Sequence, residues 1–334
     1  MMRCLVTGGC GFLGSALVRH LLAESCEVVV VDDLSRGSVE NLGADLDRVT
    51  VIQQDVTTDL SRTFASFQPE AVFHLAALHF IPECDADPAR CLRVNVDGTR
   101  SVLDAAAGLP GPVSLVLASS AAVYAPSDAP HREQAESVGP VDVYGYSKLW
   151  AEELAARFAA RTGSGVGVAR LFNVFGPGET NAHFIPSLIS QMKAGESVRL
   201  GNLSTKRDYV FVDDVADALL RLARYCGGGH AVSGRGGNGR SVDGQRATLN
   251  IGSGSAYSGY EVLAALATVM MGTDAPSGIE PIVDPSRLRP VDRPTLLADP
   301  TLAQKLLDWA PRTSLADGLR AAWERPVGAG LMPV

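Results

Sequence analysis

Tyr144 and Lys148 stand four residues apart at the start of an amphipathic stretch, Tyr144–Arg161, so helical geometry puts the phenol and the ammonium on one face. A phenol with a free pKa of about 10 is a poor base at neutral pH, and a neighbouring ammonium together with a cationic nicotinamide would lower it. Ser119 and Ser120 follow the apolar run Val113–Ala118. A strand there brings their hydroxyls out at the carboxyl edge of a sheet, where open α/β folds bind ligands. A serine, a tyrosine and a lysine so placed can move a proton while a hydride passes to NAD. The Tyr-x-x-x-Lys spacing alone is commonplace on helix surfaces; its position after a dinucleotide loop and a serine-bearing strand end gives it weight.

That loop is Thr7-Gly8-Gly9-Cys10-Gly11-Phe12-Leu13-Gly14, between a strand pattern over Arg3–Thr7 and an amphipathic helix pattern over Phe12–Glu24. Glycines there allow the tight turn and let a pyrophosphate approach the backbone at the positive end of the helix. The next strand ends in Asp32, 18 residues after Gly14. A carboxylate at that point accepts from ribose hydroxyls and repels a 2′-phosphate, which favours NAD over NADP; Arg36 nearby argues the other way. Asp33 either shares the ribose role or serves the turn.

The elements that must position these groups alternate. Arg3–Thr7, Val28–Asp32, Val49–Gln53, Ala71–Leu75, Val113–Ala118 and Val166–Leu171 read as strands, with helices between them. Val28-Val29-Val30-Val31 is apolar throughout, as suits a strand covered on both faces. The expected fold is α/β: a Rossmann-type doubly wound parallel sheet with a smaller, mixed α/β substrate domain. Residues 1–172 are expected to form the NAD-binding domain, joined by about 207–251, with 173–206 and 252–330 forming the substrate domain. Helices are expected at Pro186–Ala194 and Asp213–Tyr225. Gly227–Gly244 is Gly-rich without periodicity and reads as a loop, with Arg235 and Arg240 as possible anion contacts.

The chain has 334 residues, 46% apolar and 20% charged, with a formal net charge of −8. That is a globular balance with no basic footprint for nucleic acid. No apolar run approaches the roughly 18 residues that span a bilayer, and the first residues enter a strand pattern rather than a signal peptide, so the expected location is the cytoplasm. The six cysteines show neither metal-ligand spacing nor the density of a disulfide scaffold, and no metal site is expected.

With these residues in place, the sequence resembles the extended short-chain dehydrogenase/reductase family, the NAD-dependent epimerases and dehydratases of nucleotide-sugars. The likeness runs through Thr7–Gly14, Asp32–Ser35, Asp55-Val56, His74–Ala77, Asn95–Thr99, Ser119–Tyr124, Tyr144–Lys148, Arg170–Gly178, Arg207–Asp214, Asn250–Gly254 and Arg289–Asp292. The resemblance implies that Gly8, Gly11, Phe12, Leu13, Gly14, Asp32, Asp33, Ser35, Arg36, Asp55, Val56, Leu75, Ala76, Ala77, Asn95 and Ser119 contact NAD. By the same likeness Ser120 meets the sugar hydroxyl, Tyr144 is the general base, and Lys148 binds the nicotinamide ribose. His79, Ser120, Ala121, Asn173, His183, Val198, Leu200, Arg207, Arg289, Asp292 and Leu296 are the implied substrate residues. Guanidiniums suit a diphosphate because they grip it in bidentate fashion; the alternative for Arg207 and Arg289 is an ion pair with Asp208 or Asp292.

Dehydratases and decarboxylases of this family carry an acidic residue after the catalytic hydroxyl, where this chain has Ala121-Ala122. An alanine exchanges no proton, so the resemblance implies C4 epimerisation of a nucleotide-sugar through a transient 4-keto intermediate, with UDP favoured. Leu296 stands where some 4-epimerases carry a bulky tyrosine, which would leave room for an N-acetyl group. A dehydratase or reductase using Glu179 or His79 as acid stays open, as does a catalytically silent NAD-binding regulatory protein. Family members pair the two helices expected at Pro88–Ala107 and Tyr144–Arg161, which implies a homodimer.

Overall fold

The structure is a computed structural model that describes residues 1–133, 138–228, 246–271, 281–287 and 293–324. Its centre is a seven-stranded sheet. The first six strands are β1 (Arg3–Thr7), β2 (Glu27–Asp32), β3 (Thr50–Gln53), β4 (Ala71–His74), β5 (Ser114–Ser120) and β6 (Gly165–Leu171). Four shorter or later strands follow in the chain before the sheet is complete: β7 (Asn173–Phe175), β8 (Arg199–Leu200), β9 (Lys206–Phe211) and β10 (Arg246–Ile251). Across the sheet the order is β10-β6-β5-β4-β1-β2-β3, and every pairing is parallel. The chain therefore winds outward from β1 to one edge and then crosses back beyond β1 to β4. The carboxyl ends of β1 and β4 part at that reversal, and a crevice opens above them.

Each strand feeds two cores in alternation. Cys4, Val6, Val30 and Phe73 face the layer of α1 (Phe12–Ala23), while Leu5, Val31 and Val72 face the opposite layer. That second layer holds α2 (Ser61–Phe67) and, further along, the run α3 (Ile81–Ala86), α4 (Pro88–Leu92), a π turn over Arg93–Asp97, α5 (Gly98–Ala107), and α6 (Val143–Thr162). Helices on both sides explain why β2 is apolar at successive positions rather than at every second one.

Beyond β7 come α7 (Phe184–Lys193) and α8 (Val212–Gly227). The latter returns to pack beside α1 in the first core. The remaining elements are α9 (Gly259–Met271), α10 (Thr301–Leu307), α11 (Leu315–Glu324), β11 (Ala256–Ser258), β12 (Ile282–Val283) and β13 (Thr295–Leu296). In the second sheet β9 pairs with β7, β11 and β13, and β8 pairs with β12 separately. So β9 lies in the second sheet, although the sequence reading attaches residues from 207 onward to the first domain; α8 and β10 do return to the large sheet.

Asp208, fully buried on β9, ties the pieces together. Its carboxylate accepts from Ser253 N (2.6 Å), Gly254 N (2.9 Å) and Ala298 N (3.1 Å). It is therefore not the ion-pair partner considered for Arg207. The loop positions Arg235 and Arg240 lie outside the described residues, as do Arg289 and Asp292.

Candidate active site

A cleft of about 1540 Å³ lies along the carboxyl edge of the large sheet and continues onto the second sheet. One end is the loop after β1. Gly14 is required there by close approach, since a Cβ would stand 2.0 Å from the Gly8 carbonyl oxygen. The helix α1 begins at Gly11 with no capping side chain, leaving its positive end to a ligand. Gly8, Gly11, Phe12, Leu13 and Gly14 all line the cleft, and so do Asp32, Asp33, Ser35, Arg36, Asp55, Val56, Leu75, Ala76 and Ala77.

Asp32 is almost buried and accepts from Cys10 N and Leu34 N, both at 2.9 Å. Burial raises its pKa and those two amides oppose the rise. Arg36, the sequence feature that argued for NADP, is ion-paired to Glu83, which also takes Arg90 at 2.8 Å. A glycine turn, a helix start and a ribose-side carboxylate fit a dinucleotide, and the engaged arginine fits one without a 2′-phosphate.

The loop after β4 is held from beneath. His74, buried and driven down to a pKa of about 3 by desolvation, links Thr7 Oγ1 (2.7 Å) to Thr99 Oγ1 (3.0 Å). Asn95, expected to touch the cofactor, does not line the cleft. It is buried in the π turn, and its amide joins Leu78 to Ser147 Oγ on α6 (2.9 Å).

Asp142 caps α6 by accepting from Gly145 N at 2.7 Å, which sets Tyr144 and Lys148 in the first turns. Both are buried and both face the cleft. Ser120 lines the cleft together with Tyr144, and its hydroxyl accepts from Ala122 N at 3.1 Å. Lys148 Nζ donates to Ala118 O at 2.9 Å and lies 5.9 Å from the centre of the Tyr144 ring. Without a cofactor, burial pushes the Tyr144 phenol upward, and the neighbouring Ser120 hydroxyl opposes the rise. Burial also draws Lys148 down to about 8.

Ser119 lines the cleft as well, while its hydroxyl, on the opposite face of the strand from that of Ser120, donates to Glu152 Oε1 at 2.5 Å. Glu152 is in turn ion-paired with buried Arg170 at 2.7 Å, which fastens β5, β6 and α6 behind the site. Sequence reasoning missed Glu152, whose only signal was an acid on the buried face of a helix.

At the other end, His79, Ala121, Asn173, His183, Leu200, Arg207 and Leu296 line the cleft. His183 pairs with buried Glu179, and Asn181 bonds His79 Nε2 at 3.1 Å. Asn173 donates to Asp208 O at 3.1 Å, and Arg207 donates to the carbonyls of Lys206 and Arg293. Val198 does not reach the cleft; it is buried in the core beneath Leu200. Four lining arginines were missed, Arg90, Arg93, Arg287 and Arg293. Arg293 directly follows the expected Arg289–Asp292 motif, and that proximity was the available signal.

A sequence model described as the NAD dependent epimerase/dehydratase family matches residues 4–232. UDP-glucose 4-epimerase of Mycolicibacterium smegmatis is 34% identical over 95% of this chain and 96% of its own. Among solved structures, UDP-glucose 4-epimerase of Thermotoga maritima with UDP-glucose superposes with a TM-score of 0.81 at 29% identity, covering 97% of this chain and 98% of that one. The Stenotrophomonas maltophila UDP-glucose 4-epimerase with bound NAD and formylated UDP-arabinopyranose gives 0.83 at 26% identity, covering 97% of both.

Proposed function

The chain belongs to the NAD-dependent epimerase/dehydratase family, and we propose that it interconverts the C4 epimers of a UDP-sugar with NAD as a retained cofactor. The observation that carries this reading is that Ser120, Tyr144 and Lys148 line one cleft with the glycine loop and Asp32, with Ala121 and Ala122 directly after Ser120. Tyr144 accepts the proton of the C4 hydroxyl, Ser120 orients that hydroxyl, and Tyr144 returns the proton at the end of the cycle. NAD, when bound, takes the hydride from C4 and gives it back. The 4-keto sugar turns over between the two transfers, so no net oxidation results and no acid is needed to expel a leaving group.

The NAD half is assigned to residues 1–172 with α8 and β10, and the sugar nucleotide to the second sheet and its helices. Arg207 is assigned to the diphosphate. Leu296 lines the cleft while packing with Ala121 and Phe172, which supports space for an N-acetyl group. Exposed Tyr146 and Trp150 on α6, with ring centres 6.4 Å apart, support a homodimer formed through that helix. Six buried free cysteines suit a reducing, cytoplasmic location. Among the described residues, no helix is long and apolar enough to cross a membrane.

The reading is tested by incubation with UDP-glucose, UDP-N-acetylglucosamine, UDP-glucuronic acid and their GDP and dTDP counterparts, with products identified by NMR. A 4-epimer of a UDP-sugar supports it; a deoxy-keto product in its place overturns it.

A further inference from the structure

Arg293 is 9% exposed, yet it lines the cleft. Its guanidinium donates to Ala122 O at 3.1 Å and to Ala121 O at 3.4 Å. Its other N–H groups meet no acceptor among the described residues, and the side chain lines the cleft. No carboxylate among the described residues forms an ion pair with it; Asp142, the acid whose charge it feels, is engaged in capping α6. A cation held out of water without a counter-charge is costly to the folded protein. A methionine or leucine would fill the same space without that cost.

The place of this cation limits what anion it can serve. Ala121 and Ala122 directly follow Ser120, which lines the cleft with Tyr144 and Lys148. Arg293 is therefore stationed at the end where the sugar carbon reacts. On a hexose, C4 is bonded to C5, and C5 carries C6, so an acid at C6 is within reach of groups gathered around C4. A carboxylate there can receive two parallel N–H bonds from one guanidinium.

We propose that Arg293 recognises a sugar carboxylate, making a UDP-hexuronic acid the preferred substrate. The inference rests on the UDP-sugar reading above and adds the class of sugar. A site built to pair a charge discriminates strongly against an analogue lacking it, because its own group is then left unpaired.

The test is calorimetric binding of UDP-glucuronic acid, UDP-glucose and UDP to the NAD-loaded protein, for wild type, Arg293→Met and Arg293→Lys. Wild type is expected to favour UDP-glucuronic acid over UDP-glucose by at least about tenfold. Arg293→Met should collapse that ratio towards one, and Arg293→Lys should keep part of it as a point charge. Equal wild-type affinities for the two sugars, or a loss in Arg293→Met as large on UDP as on UDP-glucuronic acid, would overturn the proposal; the latter would make Arg293 a phosphate ligand. If Arg293→Met does not fold, the wild-type ratio and Arg293→Lys decide. Turnover is followed by NMR in the same solutions. Carboxylate discrimination without epimerisation of any UDP-sugar would sink the reaction and leave the carboxylate site standing, and epimerisation without discrimination would do the reverse.

Discussion

Asn95 holds Leu78 at both of its backbone polar atoms, accepting from the Leu78 N–H at 2.7 Å and donating to the Leu78 carbonyl at 2.9 Å. The same amide donates to Ser147, the residue before Lys148. One side chain thus fastens the loop after β4 to the catalytic helix. Asn95→Ala would leave the Leu78 N–H buried without its partner and its carbonyl with only the Cys84 thiol, at 3.5 Å. Its expected cost is about 2–4 kcal/mol, read by urea unfolding, with weaker NAD binding because the Leu75–Leu78 segment loses its anchor. A stability within error of wild type would refute this role.

Asp32 predicts cofactor choice. A 2′-phosphate would approach a buried carboxylate whose neighbouring guanidinium, Arg36, is already paired with Glu83. NAD should bind at least about tenfold more tightly than NADP, or about 1.4 kcal/mol. Equal affinities in calorimetry would contradict the assignment of Asp32 to the ribose.

Tyr144→Phe keeps the ring in its cluster with Leu78, Cys84 and Cys91 and removes only the proton acceptor. Turnover should fall by about 10²–10⁴-fold with little change in melting temperature. Near-normal turnover in the folded variant would remove Tyr144 from the chemistry.

Lys148 predicts a pH dependence of stability. Its pKa is about 8 in the folded protein against 10.5 for the free side chain, because burial disfavours the ammonium. Below about pH 8 both states hold the proton, and the folded state bears the cost of a buried charge. Between about 8 and 10.5 the unfolded chain binds a proton that the folded chain has released, so stability rises with pH. Relative to Lys148→Met, the protein without cofactor should gain about 3 kcal/mol across that interval. A pH-independent difference between the two would show that Lys148 keeps its charge by pairing within the fold.

Much of this was legible beforehand, for a physical reason. The large sheet is made of apolar runs punctuated by glycine turns, and the cofactor loop and the Tyr-x-x-x-Lys helix are local patterns. What stayed hidden depends on which way a side chain points after folding. Ser119 and Ser120 are adjacent and identical in type, and only strand alternation sends one hydroxyl to Glu152 and the other to the cleft that Tyr144 lines. Val198 and Leu200 both pack in the core, but only Leu200 also reaches the cleft. Asp208 resembled a surface partner for Arg207 until the β9 pairings enclosed it.

The central claim is that a hydride leaves C4 and returns to C4. The most direct measurement uses the UDP-sugar that turns over fastest, deuterated at C4, with the product mixture followed by NMR and NADH by absorbance. Retention of deuterium at C4 in both epimers, with no NADH accumulating, is the predicted result. Deuterium appearing at C6, or lost to solvent, would contradict epimerisation through a 4-keto sugar and point instead to a dehydratase or to exchange chemistry.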